Sequence, residues 1–168
     1  AELCRNRGYA TVLRSQRTPC SEQTAVFVGD SMGELPLFYA AADVAFVGGS
    51  LVHTGGHNLL EPAALGIPVV TGPNVFNFTE ICDLLVAAEA CRKVESPAEL
   101  GETVIRWLLD ANERHRIGQN GRQAVEQNVI DREADGPEED GDVGGAATSR
   151  QLLLVVDRPR HEDAAVQQ

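Results

Sequence analysis

Positive charge is scarce in this chain, and so are the patterns that mark metal, disulfide and membrane proteins. Its 168 residues carry 14 Lys and Arg against 25 Asp and Glu, a formal net charge of −11. A nucleic-acid binder ordinarily presents a basic face, so nucleic acid is excluded as the expected partner. Cys4, Cys20, Cys82 and Cys91 form no CxxC pair and show no metal-ligand spacing. They read as free thiols of a reducing cytoplasm rather than a disulfide framework, and no metal is expected. No apolar run approaches the roughly 20 residues of a membrane span, and no secretory leader opens the chain; a soluble, cytoplasmic protein is expected. There is no initiator methionine either. Ala1 stands in what reads as a helix end, AELCRNRG, the pattern expected of a piece of a longer product.

The acid is unevenly spread. From Asp131 to Asp142, seven carboxylates stand against Arg132 alone, a net −6 in twelve residues. The stretch to Thr148 is glycine-rich and nearly free of large apolar side chains, a composition that favours disorder. A lone apolar run follows at Gln151 to Val156. The expected division is a domain over residues 1–130 and a disordered or unrelated tail over 131–168. With the charge concentrated in the tail, it says little about a ligand site in the domain.

What remains is an alternation of short apolar segments with helical ones. Strands are expected at Tyr9–Leu13, Thr24–Val28, Val44–Val47, Ile67–Thr71 and Cys91–Val94; the second and fourth are uncharged and read as buried parallel strands. Helices are expected from Gly33 to Ala42, with Leu35, Phe38, Tyr39 and Ala42 on one face, from Leu59 to Leu65 with Gly66 ending it, and from Thr79 through Ala88. Ser96-Pro97-Ala98-Glu99 is a helix start with serine at N-cap, proline at N1 and glutamate at N3. A last helix is expected over Asn112–Asn128. This alternation predicts an α/β fold with a doubly wound parallel sheet and flanking helices.

Two polar loops, Gly29–Glu34 and Gly48–Glu61, each follow a strand and lead into a helix. In an open parallel sheet such loops fall on the edge where ligands bind. In the second, Pro62 must lie in the first helical turn, so the helix starts at or just after Asn58, and Asn-x-x-Glu has capping-box spacing. The glycines allow close backbone approach, free N–H groups at the helix start suit a phosphate, and Glu61 is placed to accept from two sugar hydroxyls. That combination suits a nucleotide; a plain helix cap accounts for Asn58 and Glu61 equally well. Backbone groups of Ser31-Met32-Gly33-Glu34 are placed to read a nucleobase edge, with Met32 on its face, although a capping role for Ser31 and Glu34 is the stronger reading of that segment alone.

Gly29-Asp30-Ser31-Met32-Gly33 also matches the G-x-S-x-G nucleophile elbow of α/β-hydrolases, with His115 as a conceivable partner of Ser31. The glycine loop follows this serine, whereas in that fold it precedes it, and His115 reads as solvated on a polar helix. His53 and His57 lack a third ligand for a metal. Asn74, Phe76, Asn77 and Phe78 read as capping the next helix and covering the core.

The segments GDSMGELPLFYAAADVAFVGGSL, GGHNLLEPAALGIPVVTGP and NFTEICDLL closely resemble the C-terminal domain of bacterial 3-deoxy-D-manno-octulosonic acid (Kdo) transferases of lipid A assembly. The resemblance spans about residues 1–129 and implies the Rossmann-like C-terminal half of a two-domain GT-B glycosyltransferase. It implies CMP-Kdo as donor, with Met32, Gly33 and Glu34 at the cytosine end and Asn58, Leu59, Leu60 and Glu61 at the phosphate and ribose, Glu61 holding the ribose. Gly48, Gly49, Ser50, Gly55, Gly56 and His57 would line the same cleft. Transfer to a lipid A precursor would proceed with inversion and without a metal or cofactor, at the cytoplasmic face of the bacterial inner membrane. The family's N-terminal domain, which brings the catalytic base, acceptor groove and membrane anchor, has no counterpart here, nor do the opening strand and basic residues of the nucleotide domain. No catalytic residue is therefore nominated, and this chain alone is expected to be inactive. Residues 131–168 resemble nothing in the family; their makeup fits a shifted frame or a fusion. Another sugar-nucleotide transferase of the same architecture, such as one with a uridine donor, is the alternative.

Overall fold

The computed structural model describes residues 1–134. In chain order they form α1 (Glu2–Asn6), β1 (Thr11–Leu13), a tight helical turn at Arg14–Gln16, β2 (Val26–Val28), α2 (Leu35–Ala40), β3 (Ala45–Val47), α3 (Leu60–Ala64), β4 (Val69–Thr71), α4 (Thr79–Ala87), β5 (Cys91–Lys93), α5 (Pro97–Leu109) and α6 (Ala111–Ala134). All pairings are parallel: β1 with β2, and β3–β4–β5 in that order. Every strand is a residue or two shorter than its apolar run. Pro68, for example, has no N–H to give, so the fourth strand begins at Val69.

β3 and β4 are buried along their whole length, and period-two alternation sends their side chains to opposite faces. On one face Val47 and Val69 meet Leu59, Ala63, Val75, Cys82, Leu85, Ala90 and Cys91. On the other, Phe46 and Val70 meet Val94, Val104, Trp107 and Ile117. α3 and α4 thus cover one face and α5 the other, which leaves the strand ends, not the faces, open to a ligand. The expected full burial of the second strand is not met: Val26, Phe27 and Val28 are half-buried. Among the described residues β2 pairs only with β1, and Phe27 meets Phe38 of α2 edge-on, centroids 5.8 Å apart.

α5 starts as expected, with Ser96 Oγ accepting from Glu99 N at 3.2 Å, but the Glu99 carboxylate reaches back to Glu95 N (2.9 Å) instead of the N-cap amide. α6 is longer than its sequence indicated and continues past residue 130 to Ala134, supported by Arg122–Glu126 (2.9 Å) and Gln127–Asp131 (2.8 Å) pairs one turn apart. The rest of the expected tail, residues 135–168, lies outside the described residues. The packing face of α6 is small: Ile117, Gly118, Gly121, Ala124 and Val125. At Gly118 a Cβ would strike the carbonyl oxygen of Gly66, so the helix backbone lies directly against the turn that ends α3. All four cysteines are unpaired. Among the described residues no helix is long and apolar enough to cross a membrane.

Candidate functional site

The loops after β3 and β4 share the carboxyl edge of the sheet, and Ser50 fastens one to the other. Its hydroxyl donates to Val47 O (2.7 Å) and accepts from Gly72 N (2.8 Å), while its carbonyl accepts from Asn74 N (2.9 Å) and Nδ2 (3.1 Å). Ser50 is 0% exposed, so it lies beneath the rim and does not line an open cleft with its side chain. Ser50→Ala would leave the buried Gly72 N–H without a partner, a loss of about 1–3 kcal/mol. A chemical denaturation midpoint that falls accordingly checks this.

The Gly48–Gly56 segment, for all its glycines, is knitted to its surroundings. Thr54 Oγ1 and Gly56 N both donate to Gly49 O, and Asn77 N donates to Gly55 O (3.3 Å). His53 Nδ1 donates to Asn74 Oδ1 at 3.1 Å, and its ring packs against Phe76 at a tilt of 46° with centroids 5.1 Å apart. The asparagines thus brace the glycine loop more than they cap α4, whose N-cap is Phe78 without a side-chain bond. Gly55 and Gly56 take φ of +93° and +76°, a conformation that L side chains rarely adopt, and a Cβ on Gly55 would collide with Asn77 and Phe76. The His57 ring lies over Gly49, 3.1 Å from where a Cβ would stand there.

Asn58 and Glu61 follow, with the register shifted by one. α3 begins at Leu60 with Leu59 as N-cap, because Asn58 closes a side-chain turn ahead of the helix. Its Oδ1 accepts from Leu60 N at 3.0 Å and its Nδ2 donates to Glu61 Oε1 at 3.4 Å. Glu61 is half-buried at the second helical position and Pro62 sits in the first turn as expected. The helix has only five residues, so attraction for an anion here rests on individual N–H groups, not on a long macrodipole. The Leu59 side chain is 0% exposed and belongs to the core; it offers only backbone to a ligand. Tyr39 of α2, read as plain core, has its ionisation pushed up to about 12, first by burial and then by the charge of Glu61. The tyrosine is thus adjacent to that carboxylate, and α2 and α3 pack together.

The first loop is held by groups that the sequence reading missed. Glu34, N-cap of α2, pairs with Arg14 at 2.6 Å and accepts from the Ser31 hydroxyl. Asp30 accepts from Ser15 N (2.8 Å) and Oγ (2.6 Å). The signal was available in principle: adjacent parallel strands end side by side, so residues just past β1 meet those just past β2. Met32, between the two acids, is 89% exposed. Hydrogen bonds from Ser31 and then Arg14 hold the Glu34 carboxyl below its ordinary value of 4.5, and Ser15 lowers Asp30 likewise. A carboxyl depressed in the folded state contributes stability above its unfolded value and loses it as pH falls through the folded one. The tie is therefore complete at neutral pH and loosens only below pH 4.5. Melting curves in acid should show the unaltered chain losing more below that point than Glu34→Gln, which has no such carboxylate to protonate.

Concavities of about 550 and 240 Å³ lie away from this rim, one along α6 beside Ala88 and the other at the opposite strand ends beside Asp43, Pro68, Arg114 and His115. His115 thus stands at the far edge from Ser31, whose hydroxyl is committed to Glu34; the hydrolase arrangement is not formed.

Parallel strands with helices on both faces and glycine loops along one edge define a Rossmann-like α/β unit, half of the GT-B architecture. The chain belongs to the family described as glycosyl transferases group 1, whose model matches residues 11–124. It is 43% identical over 129 residues to the 3-deoxy-D-manno-octulosonic acid transferase of Haemophilus influenzae, covering 76% of this chain and 30% of the relative. It is 45% identical over 85 residues to that of Bordetella pertussis, covering 50% and 19%. Among solved structures it superposes on the C-terminal CMP-Kdo binding domain of WaaA from Acinetobacter baumannii with a TM-score of 0.71 and 34% identity, over 74% of this chain and 65% of that one. The chain therefore spans under a third of the Haemophilus relative's length.

Proposed function

We propose that residues 1–130 form the donor-binding domain of a Kdo transferase, taking CMP-Kdo at the carboxyl edge of the sheet. The observation that carries the reading is the Gly55–Glu61 corner: a positive-φ glycine pair, then Asn58 orienting a half-buried carboxylate, in a chain similar to a CMP-Kdo binding domain. The likeness to Kdo transferases favours a cytidine donor over a uridine one.

In this reading the Glu61 carboxylate accepts from the ribose hydroxyls and Asn58 fixes its angle. Amides of the Gly55–Leu60 segment meet the phosphate, with Gly48, Gly49 and His57 alongside and Ser50 supporting from below. Met32 and Gly33 meet the cytosine end, next to Glu34. Donors aimed at the phosphate stabilise the charge that grows on it as the Kdo–oxygen bond breaks. The base that takes the acceptor proton, the lipid A precursor site and contact with the cytoplasmic face of the inner membrane belong to the rest of the full-length protein. This chain by itself binds donor and does not transfer.

Calorimetric titration of the chain with CMP and with UMP tests the proposal. CMP is expected to bind more tightly; a clear preference for UMP, or heat from neither, would overturn it.

A further inference from the structure

The tip of the β2–α2 loop is free while both its flanks are pinned. Glu34 Oε1 accepts from Arg14 Nε (3.2 Å) and Nη2 (2.6 Å), and Oε2 accepts from Ser31. On the other flank Asp30 takes two hydrogen bonds from Ser15. Arg14 and Ser15 are consecutive, immediately after β1, so a single short segment holds both ends of the loop. Between the anchors Gly33 turns the chain at φ +79°. Neither Met32 nor Gly33 has a backbone hydrogen bond among the described residues. A turn whose own backbone groups are unpaired, on flanks fixed by charged side chains, is preorganised to present those groups to a planar partner.

We propose that Arg14 and Ser15 are positioning residues for nucleobase recognition. They touch no ligand; acting through Glu34 and Asp30, they fix the angle at which Met32 and Gly33 meet the base edge. The Glu34 side chain is accordingly a buttress, and the base is read by backbone. This rests on the donor-site reading above.

Two probes separate this role from direct binding and from general structural support: CMP, and ribose 5-phosphate, which carries the sugar and phosphate without a base. In calorimetry on the whole chain, Arg14→Ala is expected to weaken CMP about tenfold. Binding of ribose 5-phosphate should stay unchanged. Glu34→Gln should reproduce the loss, and the double variant should be no worse than either single one, because both remove the same tie. If Arg14→Ala melts below the assay temperature, Glu34→Gln, which keeps the side chain's shape, carries the same comparison. Unaltered CMP affinity in the variants overturns the inference, as does a parallel loss of ribose 5-phosphate, which would put the guanidinium on the phosphate itself. Failure of the unaltered chain to bind CMP would instead overturn the donor-site reading, and this inference with it.

Discussion

Glu61→Ala is expected to lower the affinity for CMP at least about a hundredfold, since each hydrogen bond to a charged group contributes about 1.5–3 kcal/mol and two ribose hydroxyls are involved. The loss should be specific. The unaltered chain should prefer CMP over 2′-deoxy-CMP, and the variant should bind the two alike. A second readout is independent of ligand. Tyr39 ionises near about 12, in part because of the Glu61 charge; without it, the tyrosine's ultraviolet titration should move down, stopping above the ordinary value because burial, the larger cause, remains. Among the described residues the side chain's one hydrogen-bond partner is Asn58, so folding should survive the change, as a thermal melt can show. CMP affinity within a factor of about two of the original would remove Glu61 from the site.

The second large effect is expected at Gly72, where β4 gives way to its loop. A Cβ there would lie against the carbonyl carbon and oxygen of Ser50 and 2.7 Å from Leu51 N. These are backbone atoms, held in place by the Ser50 hydrogen bonds, and they cannot swing aside as a side-chain tip can. Gly72→Ala is therefore expected to destabilise the fold by about 3 kcal/mol, at the upper end for overpacking. At this chain length that corresponds to a melting temperature roughly 10 °C lower. Because the strain falls between the two loops, CMP affinity should drop with it. A melting temperature unchanged within about 2 °C would mean that the loops part without strain.

In the three-stranded sheet β3 and β4 were legible as uncharged runs closed by Gly48 and Gly72, whereas β5 carries Arg92 and Lys93 and was legible only from its place between two helices; α4 and α5 show their apolar faces at helical spacing. Ser96 and Pro97 set the start of α5 to the residue. The glycine loop was recognised as a site, but not what holds it, since glycine content reports what a backbone is allowed to do and not what Thr54, Asn74 and Asn77 do to it. The start of α3 was misplaced by one residue for a related reason: Asn58 is equally suited to an N-cap and to a side-chain turn before it, and the tertiary setting chose the turn. Arg14 and Ser15 were missed because their importance comes from the register of β1 on β2, which no local pattern encodes. Gly118 was invisible in the same way. A glycine within a polar helix reads as a weakness until the carbonyl of Gly66 is seen to occupy the space a methyl would fill.

That bare patch of α6 has a thermodynamic consequence. The short helix bearing Glu61 rests on main chain, with no rotatable side chain at the Gly66–Gly118 crossing to absorb a displacement. Its carboxylate therefore meets a nucleotide already aimed, and little motion is left to be frozen on association. Titration heats should accordingly report a favourable enthalpy with only a small opposing entropy. A methyl group at position 118 would act on ligand affinity from behind the sheet, through the foundation of the site instead of its surface.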